Sequence, residues 1–381
     1  MGDDRLKKIV FLSGTRADWG KIKALVQEVK ESKKFEYKIF ACGMHLLDLY
    51  GKTFIEIYKD GFDEVFLAKP YKHHEKMDLA LSESIKQFSA FVKDYKPDLI
   101  VVHGDRLEAL CGAIVGAFNN ILVAHIEGGE VSGTIDESIR HSISKLAHLH
   151  FVANDEAKKR LLQLGEREED VFVIGSPDID LMLGDLPSMQ EVEKHYYQIQ
   201  SFKGEYAIFL YHPVTTEEKN LEKNITQTLK ALKKSKLNYI VIYPNNDLGS
   251  KTILKAYKSL EGDSHFALFK SLKFESFLTL LKNAKFIIGN SSAGIREAPI
   301  YGIPCINLGS RQEGRYKESE AIVSAKESEK EILSAIEKVQ NLVLKPKLEF
   351  GKGESAKEFM AVLENSEIWG KKLQKKFVDM L

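Results

Sequence analysis

The chain has 381 residues, and its 55 lysine and arginine residues are balanced by 55 aspartate and glutamate residues. This balance excludes a strong overall field that would attract nucleic acid or an anionic membrane, but it does not exclude local basic patches. At this length we expect two domains, because a single hydrophobic core rarely grows beyond about 250–300 residues.

Cysteine usage and hydropathy limit the class of protein further. Cys42, Cys111 and Cys305 lie far apart in apolar stretches, and we interpret them as buried free thiols in a reducing compartment rather than as metal ligands. The apolar run near the N-terminus is too short for a signal peptide, and no stretch reaches the length of a membrane span. We therefore expect a cytoplasmic protein.

The first half alternates apolar runs with amphipathic stretches. Strands are predicted at residues 8–12, 37–42, 99–102, 121–124, 149–152 and 171–174, and helices at 18–30, 77–92, 107–118 and 155–164. Repeated strand-helix-strand units with short apolar strands are typical of a parallel, doubly wound sheet. We expect this first Rossmann-like domain to span residues 1–178.

The second half repeats the pattern. Strands are predicted at residues 206–210, 239–243, 266–269, 286–288 and 305–308, and helices at 221–234, 250–259, 274–281, 295–301 and 331–339. We expect a second Rossmann-like domain over residues 179–360, with a cleft between the two α/β halves. Residues 355–363 and 366–381 are predicted to be helical, and the terminal segment 361–381 is expected to pack back on the first domain.

Three carboxylates in the first half are acid–base candidates. Asp105 follows one predicted strand, Glu127 follows the next, and Asp136 begins a helix after Gly128-Gly129. If the two strands are neighbours, the carboxylates crowd one pocket and raise one another's pKa, as acid–base catalysis near neutral pH requires. Arg106 and Arg140 would limit this repulsion. For any one carboxylate alone, a helix cap or a surface charge is the simpler explanation.

Two loops are candidates for binding phosphate. Gly14-Thr15-Arg16 and the run GNSSAGIRE at 289–297 each follow a predicted strand and open a helix, where main-chain N–H groups favour anions. An ordinary strand–helix turn explains the first loop equally well, and a well-capped helix is the alternative for the second. The chain has no GxGxxG motif, so a dinucleotide cofactor is not indicated.

Seven segments, in order, resemble the hydrolysing UDP-N-acetylglucosamine 2-epimerases of sialic acid biosynthesis. They are GTRADWG (14–20), GMH (43–45), HGDRLEAL (103–110), HIEGGEVSGTIDESIRHSISKLAHLHF (125–151), HPVT (212–215), YPNNDLGS (243–250), and GNSSAGIREAPIYGIP with GSRQEGR (289–315). The resemblance implies a fold of the glycosyltransferase-B type, with uridine diphosphate held mostly by the second domain. It also implies a homodimer or homotetramer that needs no cofactor and no metal.

The reaction that this resemblance implies is elimination followed by hydration. A carboxylate removes the proton on carbon 2 while UDP leaves carbon 1, and water then adds at carbon 1 of the 2-acetamidoglucal while a proton returns to carbon 2. By motif position Asp105, Glu127 and Asp136 match the catalytic carboxylates, and His45 and Arg140 match residues near the sugar. The implied nucleotide contacts are Arg16, Arg106, His212, Asn245, Ser291, Ser292, Glu297 and Arg311.

Several alternatives stay open at the level of sequence. The hydrolysing epimerases that act on UDP-2,4-diacetamido-2,4,6-trideoxyglucose in legionaminic acid synthesis resemble the same motifs and differ in how they treat carbons 4 and 6. A non-hydrolysing epimerase and a glycosyltransferase on the same fold are further readings. A catalytically silent nucleotide-sugar sensor is the alternative from another class, and it would not need the full set of carboxylates.

Overall fold

The computed structural model describes residues 5–71, 76–131, 135–202, 204–214, 217–245, 247–313, 320–348 and 350–379. Parts of the matched motifs, at residues 132–134, 215, 246 and 314–315, lie outside this description. The chain divides into two compact units. The first comprises Met1–Glu130, Asp136–Gly184 and Glu349–Leu381, and the second comprises Val131–Ile135 and Asp185–Leu348.

Each unit is built on a sheet of parallel strands. The first sheet contains β1 (Lys7–Ser13), β2 (Phe35–Ala41), β3 (Val65–Leu67), β4 (Leu99–His103), β5 (Leu122–Ile126), β6 (Leu149–Val152) and β7 (Val171–Val173). The second contains β8 (Tyr206–Leu210), β9 (Asn238–Ile242), β10 (Phe266–Phe269), β11 (Ile287–Gly289), β12 (Cys305–Leu308) and β13 (Ile322–Ala325). Most central strands are continuous apolar runs, because a parallel sheet is covered on both faces.

Both sheets run in the same strand order. Over the described residues the orders are β3-β2-β1-β4-β5-β6-β7 and β10-β9-β8-β11-β12-β13. The order reverses between β1 and β4 in the first sheet and between β8 and β11 in the second. Ligands of doubly wound sheets bind outside the carboxyl ends of the strands at such a switch point. The predicted fold class, two Rossmann-like parallel-sheet domains, is confirmed.

Helices cover the faces of both sheets. The helices are α1 (Arg16–Ser32), α2 (Phe54–Lys59), α3 (Met77–Tyr95), α4 (Leu107–Phe118), α5 (Ile135–Leu146), α6 (Asp155–Gln163), α7 (Pro177–Met182), α8 (Met189–His195), α9 (Glu218–Ser235), α10 (Ser250–Tyr257), α11 (Phe274–Lys282), α12 (Ala293–Arg296), α13 (Glu329–Val339) and α14 (Ser355–Glu364). In the first unit α1 and α14 pack on one face of the sheet, and α3 and α4 contribute to the core on the other. Alternate residues of β1 point to the two cores.

The unit boundaries lie at Gly184 and Leu348 rather than at the expected residues 178 and 360. Helix α7 stays with the first unit because Lys21 of α1 forms an ion pair with the buried Asp178, at 2.8 Å. The carboxylate of Asp180 accepts the main-chain N–H groups of Ser355 and Ala356, at 3.0 and 2.8 Å. This contact attaches the start of α14 to the same unit.

The prediction of a helix over residues 366–381 is wrong. The described residues there form a short 3-10 turn at Ser366–Gly370, and residues 371–379 contain no helix. The segment is bound to the first unit by polar contacts instead, among them Lys375 Nζ to the Ala147 carbonyl oxygen at 2.7 Å and His148 Nε2 to the Leu373 carbonyl oxygen at 3.0 Å. These tertiary hydrogen bonds outweigh a weak local helical preference.

The helices in the described part of the chain include none that is both long and apolar enough to cross a membrane.

Candidate functional site

The switch point of the first sheet joins the loops that follow β1 and β4. Thr15 caps α1 by accepting the Asp18 N–H at 3.0 Å, and Asp18 in turn accepts the Gly14 N–H at 3.0 Å. The other carboxylate oxygen of Asp18 lies 2.8 Å from Nδ1 of His103, the last residue of β4. A small pocket opens here, lined by Leu12, Gly14, Asp18, His103, Arg106, Glu108 and Ala109.

Glu127 lies at the end of β5, which pairs directly with β4. Its backbone has a φ of +61°, a left-handed conformation that is uncommon outside glycine. This turn points the carboxylate back into the unit, where Oε2 lies 3.1 Å from His103 Nε2 and Oε1 accepts the Ser176 hydroxyl. The residue is only 2% exposed. Both carboxylate oxygens are therefore held by hydrogen bonds.

Arg140 of α5 connects the ends of the two strands. Its Nη2 donates to the Asp105 carboxylate, and its Nη1 donates to the Glu127 carbonyl oxygen at 2.5 Å. Asp136 lies four residues earlier on the same helix and hence on the same side, half-buried in the first turn. The structure thus brings Asp105, Glu127 and Arg140 together and leaves Asp136 one helical turn away.

The diglycine after Glu127 is required by close packing. Gly129 has a φ of +74°, and a Cβ atom there would overlap the Ala157 carbonyl oxygen. A Cβ atom on Gly128 would approach His125 Nδ1 to 2.9 Å. His125 itself donates through Nε2 to the Gly104 carbonyl oxygen at 2.8 Å, and burial lowers its pKa to about 3. The neutral His125 ring therefore holds the Asp105 loop in place.

His45 lies between two hydroxyl groups in the interior of the first unit. Its side chain is fully buried, with Nε2 3.0 Å from the Ser13 hydroxyl and Nδ1 2.8 Å from the Thr53 hydroxyl. Burial lowers the pKa of His45 to about 4, so the ring is neutral near pH 7. These two contacts join β1 to the loop before α2, and the place of His45 near the sugar stays a prediction.

Each of two further arginines near the switch point lies beside a carboxylate. Arg16 Nη2 is 3.4 Å from Glu56, and Arg106 Nε is 3.9 Å from Glu108. Burial raises the pKa of the Glu108 carboxyl. Arg140, one of the two arginines expected to offset the charge of Asp105, forms an ion pair with it.

In the second unit the loops after β8 and β11 are joined by one amide. Asn290 is fully buried; its Oδ1 accepts the His212 N–H at 2.6 Å and its Nδ2 donates to the His212 carbonyl oxygen at 2.8 Å. Arg311 and Gln312 both donate to the Asn290 carbonyl oxygen, at 3.2 and 2.8 Å. Sequence reasoning missed the role of Asn290, although an asparagine directly after an apolar strand was a usable signal.

His212 presents a defined hydrogen-bonding ring. Its Nδ1 accepts the main-chain N–H of Asn245 at 3.1 Å, so the ring proton resides on Nε2. The imidazole is 6% exposed. This contact brings together His212 and Asn245, two of the predicted nucleotide-binding residues. Arg311, a third, joins the same group of loops because Asn290 contacts both His212 and Arg311.

The GNSSAG loop differs in detail from its prediction. Helix α12 has four residues, Ala293–Arg296, and a separate 3-10 turn follows at Ala298–Tyr301, because Pro299 interrupts the predicted helix at 295–301. Ser291 and Ser292 are half-buried, and the Ser291 hydroxyl accepts the Ala293 N–H at 3.3 Å. Glu297 is buried at the end of α12. The Ser291 hydroxyl thus stabilises the turn before α12, and no side-chain hydrogen bond from the N-cap residue Ser292 caps this helix.

Gly289 makes the approach of β11 to β8 possible, and we expect Gly289→Ala to destabilise the second unit. Its φ is +140°, and an added Cβ would overlap the Leu210 carbonyl oxygen. The expected loss of unfolding free energy is at least about 3 kcal/mol, since strain and overlap add. Gly262→Ala is the control, because Gly262 has a φ of +80° but no atom within 4 Å of the added Cβ. Equal losses in urea titrations of the two variants would contradict this account.

Two parallel sheets with carboxylates, arginine and histidine at the carboxyl ends of their strands define a two-domain α/β enzyme. The sequence model of the UDP-N-acetylglucosamine 2-epimerase family matches residues 27–364, and the chain belongs to this family. The resemblance seen in the motifs is therefore confirmed.

Individual relatives agree with this assignment. The chain is 42% identical to the UDP-N-acetylglucosamine 2-epimerase of Neisseria meningitidis serogroup B, over 98% of this chain and 100% of that protein. It is 38% identical to the GDP/UDP-N,N'-diacetylbacillosamine 2-epimerase (hydrolyzing) of Campylobacter jejuni, over 84% of each. The structure of Methanocaldococcus jannaschii UDP-GlcNAc 2-epimerase in complex with UDP-GlcNAc and UDP is similar in fold, with a TM-score of 0.78 at 22% identity over 93% of this chain and 99% of that one.

Proposed function

We propose that the protein is a hydrolysing 2-epimerase that converts UDP-N-acetylglucosamine and water to N-acetylmannosamine and UDP for sialic acid synthesis. The observation that carries the proposal is the cluster at the ends of β4 and β5, where Arg140 links the Asp105 carboxylate to the main chain of Glu127. Membership of the epimerase family supports the substrate class.

The cluster in the first unit supplies groups for two proton transfers. In the elimination a carboxylate takes the proton from carbon 2, a double bond forms between carbons 1 and 2, and the electron pair of the carbon 1–oxygen bond leaves with UDP. Water then adds at carbon 1, and a proton returns to carbon 2 from the opposite face. Transfers on opposite faces require two groups, and we assign them to Asp105 and Glu127, with Asp136 as the third carboxylate of the site.

Arg140 supports this chemistry electrostatically. A guanidinium that donates to Asp105 favours the ionised carboxylate, which is the form that accepts a proton. Asp105 is also the more accessible of the two carboxylates, with 20% of its side chain exposed against 3% for Glu127. The exposure supports direct contact between Asp105 and the sugar.

In the second unit we assign UDP binding to the loops after β8 and β11. The Nε2–H of His212, the Arg311 guanidinium, the main chain of Asn245 and the hydroxyls of Ser291 and Ser292 are donors suited to phosphate oxygens, and Glu297 is suited to accept from a ribose hydroxyl. Stabilisation of the departing diphosphate by such donors is electrostatic catalysis. From the first unit Arg16 and Arg106 remain proposed phosphate contacts.

The name of one relative favours a second candidate substrate. The Campylobacter jejuni relative named above, 38% identical to this chain, is by its name a hydrolyzing epimerase of a diacetylbacillosamine nucleotide. The competing function is therefore hydrolysing 2-epimerisation of UDP-2,4-diacetamido-2,4,6-trideoxyglucose, which uses the same groups at carbons 1 and 2.

Incubation with UDP-N-acetylglucosamine in deuterated water tests the proposal. We expect NMR to detect free N-acetylmannosamine with deuterium at carbon 2, together with UDP, and we expect Glu127→Gln to form both at least about a hundredfold more slowly. UDP-N-acetylmannosamine as the product would indicate a non-hydrolysing enzyme. Faster turnover of the 2,4-diacetamido substrate would select the second function, and no turnover of either would contradict both.

A further inference from the structure

His103 lies between two carboxylates in the interior of the first unit. Its Nδ1 is 2.8 Å from Asp18 Oδ1, and its Nε2 is 3.1 Å from Glu127 Oε2. The His103 side chain is 9% exposed, and those of Asp18 and Glu127 are 11% and 3% exposed. Motif matching placed His103 only at the end of a strand and assigned it no role.

These contacts extend into a continuous chain of hydrogen bonds. The Gly14 N–H donates to Asp18, His103 connects Asp18 to Glu127, and the Ser176 hydroxyl donates to the other oxygen of Glu127. The chain therefore links the turn after β1, the end of β4 and the end of β5. An ionised carboxylate accepts hydrogen bonds but cannot donate one. Both contacts are therefore hydrogen bonds only if each ring nitrogen of His103 carries a proton.

We propose that His103 is a positioning residue for the acid–base chemistry of this enzyme: as an imidazolium it holds the Glu127 carboxylate ionised and oriented, and it ties that carboxylate to the turn at Gly14–Asp18. This inference rests on the proposed function, in which Glu127 transfers a proton at carbon 2. It extends that function by giving the site a fixed positive charge that does not touch the sugar.

The charge on His103 has a defined pH range. Burial lowers the pKa of His103, but the Glu127 and Asp18 carboxylates raise it by more, and the result is a pKa of about 9 against an ordinary value of 6.5. Because the folded-state pKa is raised, the charge is complete below the ordinary value and is lost as the pH rises through about 9. Turnover should therefore fall in the same range.

The neighbouring arginines and His125 do not titrate in this range. Arg106 shares the pocket with His103, Arg140 lies beside Glu127, and arginine stays charged in proteins. His125 is held neutral, since burial lowers its pKa to about 3. Burial raises the pKa of the Glu108 carboxyl, which also lines this pocket.

Two replacements of His103 separate its charge from its hydrogen bonds. In His103→Gln the amide nitrogen can replace Nε2 toward Glu127, whereas in His103→Asn it can replace Nδ1 toward Asp18. Since neither amide is charged, we expect kcat to fall about a hundredfold in both, with KM changed much less. The residual activity should no longer decline near pH 9. Parental turnover in His103→Gln, or a decline at the same pH as in the parent, would overturn the proposal.

Asp18→Asn provides the second readout, which does not depend on the absolute rate. Removing one of the two carboxylates should lower the pKa of His103, so the alkaline decline of kcat should move to lower pH. The His103 ring signal, followed by NMR in protein labelled at the histidine ring and assigned with His103→Gln, should move by the same amount. A ring signal in the parent that titrates near 6.5, the ordinary value, would refute the inference.

His150→Gln is the matched control. His150 is fully buried and lies 3.0 Å from the carboxylate of Glu166, which is not one of the proposed acid–base groups. We expect this variant to lower the melting temperature but to keep the alkaline decline of kcat. If the parent protein turns over UDP-N-acetylglucosamine but His103 titrates near its ordinary pKa, the inference about His103 is rejected and the proposed function stands. If the parent protein shows no turnover but His103 titrates near pH 9, the proposed function is rejected, whereas the positive charge on His103 is supported.

Discussion

Replacement of Glu127 by glutamine should lower kcat at least about a hundredfold while leaving the Kd for UDP nearly unchanged. Glutamine keeps the size of the side chain and can still hydrogen-bond to His103 and Ser176, but it cannot take up or return a proton. Asp105→Asn should have the same effect, because it removes the charge that pairs with Arg140. The UDP contacts that we assign to the second unit are untouched by either change.

The measurements are kcat by NMR of the released sugar and Kd for UDP by calorimetry. Glu137→Gln is the matched control, since Glu137 lies next to Asp136 on α5 but 37% of its side chain is exposed. We expect the control to keep parental kcat. Parental rates in both Glu127→Gln and Asp105→Asn would reject the assignment of the two proton transfers, and a large loss of UDP affinity would show that these carboxylates contribute to nucleotide binding.

Arg140→Met should reduce both turnover and stability. The Arg140 side chain is 3% exposed and donates to the Asp105 carboxylate and to the Glu127 carbonyl oxygen. Its loss therefore removes a donor from a charged group and from a buried carbonyl oxygen. We expect a decrease of about 2–4 kcal/mol in unfolding free energy, less than for a fully buried pair because Asp105 is partly exposed. A decrease in kcat of about a hundredfold should accompany it.

The double variant Asp105→Asn with Arg140→Met tests the cause of the lost stability. If the uncompensated Asp105 charge is responsible, the double variant should be more stable than Arg140→Met alone in urea unfolding, and the two changes should be non-additive. Arg140→Lys should recover only part of the activity, because one ammonium group does not reproduce the forked geometry that reaches both partners. Strictly additive losses would mean that the two side chains act independently.

Local sequence patterns predicted most of the fold. Strands β8, β10 and β12 and helix α4 begin and end at the predicted residues, because a continuous apolar run between turn residues is recognisable without knowledge of its neighbours. The strands β3 and β13, at the edges of their sheets, were missed. β3 has three residues and two of them are exposed, so it carries little hydrophobic signal.

The candidate site was predicted in part. Asp105 and Glu127 were recognised because each directly follows a strand, and the carboxyl ends of parallel strands lie at one edge of a sheet. The partners of Glu127 were not recognisable: Ser176 is separated from it by 49 residues and His103 by 24 residues. The contacts of His45 with Ser13 and Thr53 could not be predicted, since they depend on how three segments pack.

The amino-acid sequence by itself determined the order of strands and helices, the doubly wound class of both units, the epimerase family and the carboxylates at the strand ends, because these depend on patterns within short segments. Only the tertiary structure decided that Arg140 pairs with Asp105, that Asn290 joins the loops of the second unit, and that His103 is held between Asp18 and Glu127. It also decided that residues 371–379 form no helix. Hydrogen bonds and ion pairs between residues distant in sequence determine these features, and their geometry exists only after the sheets have formed.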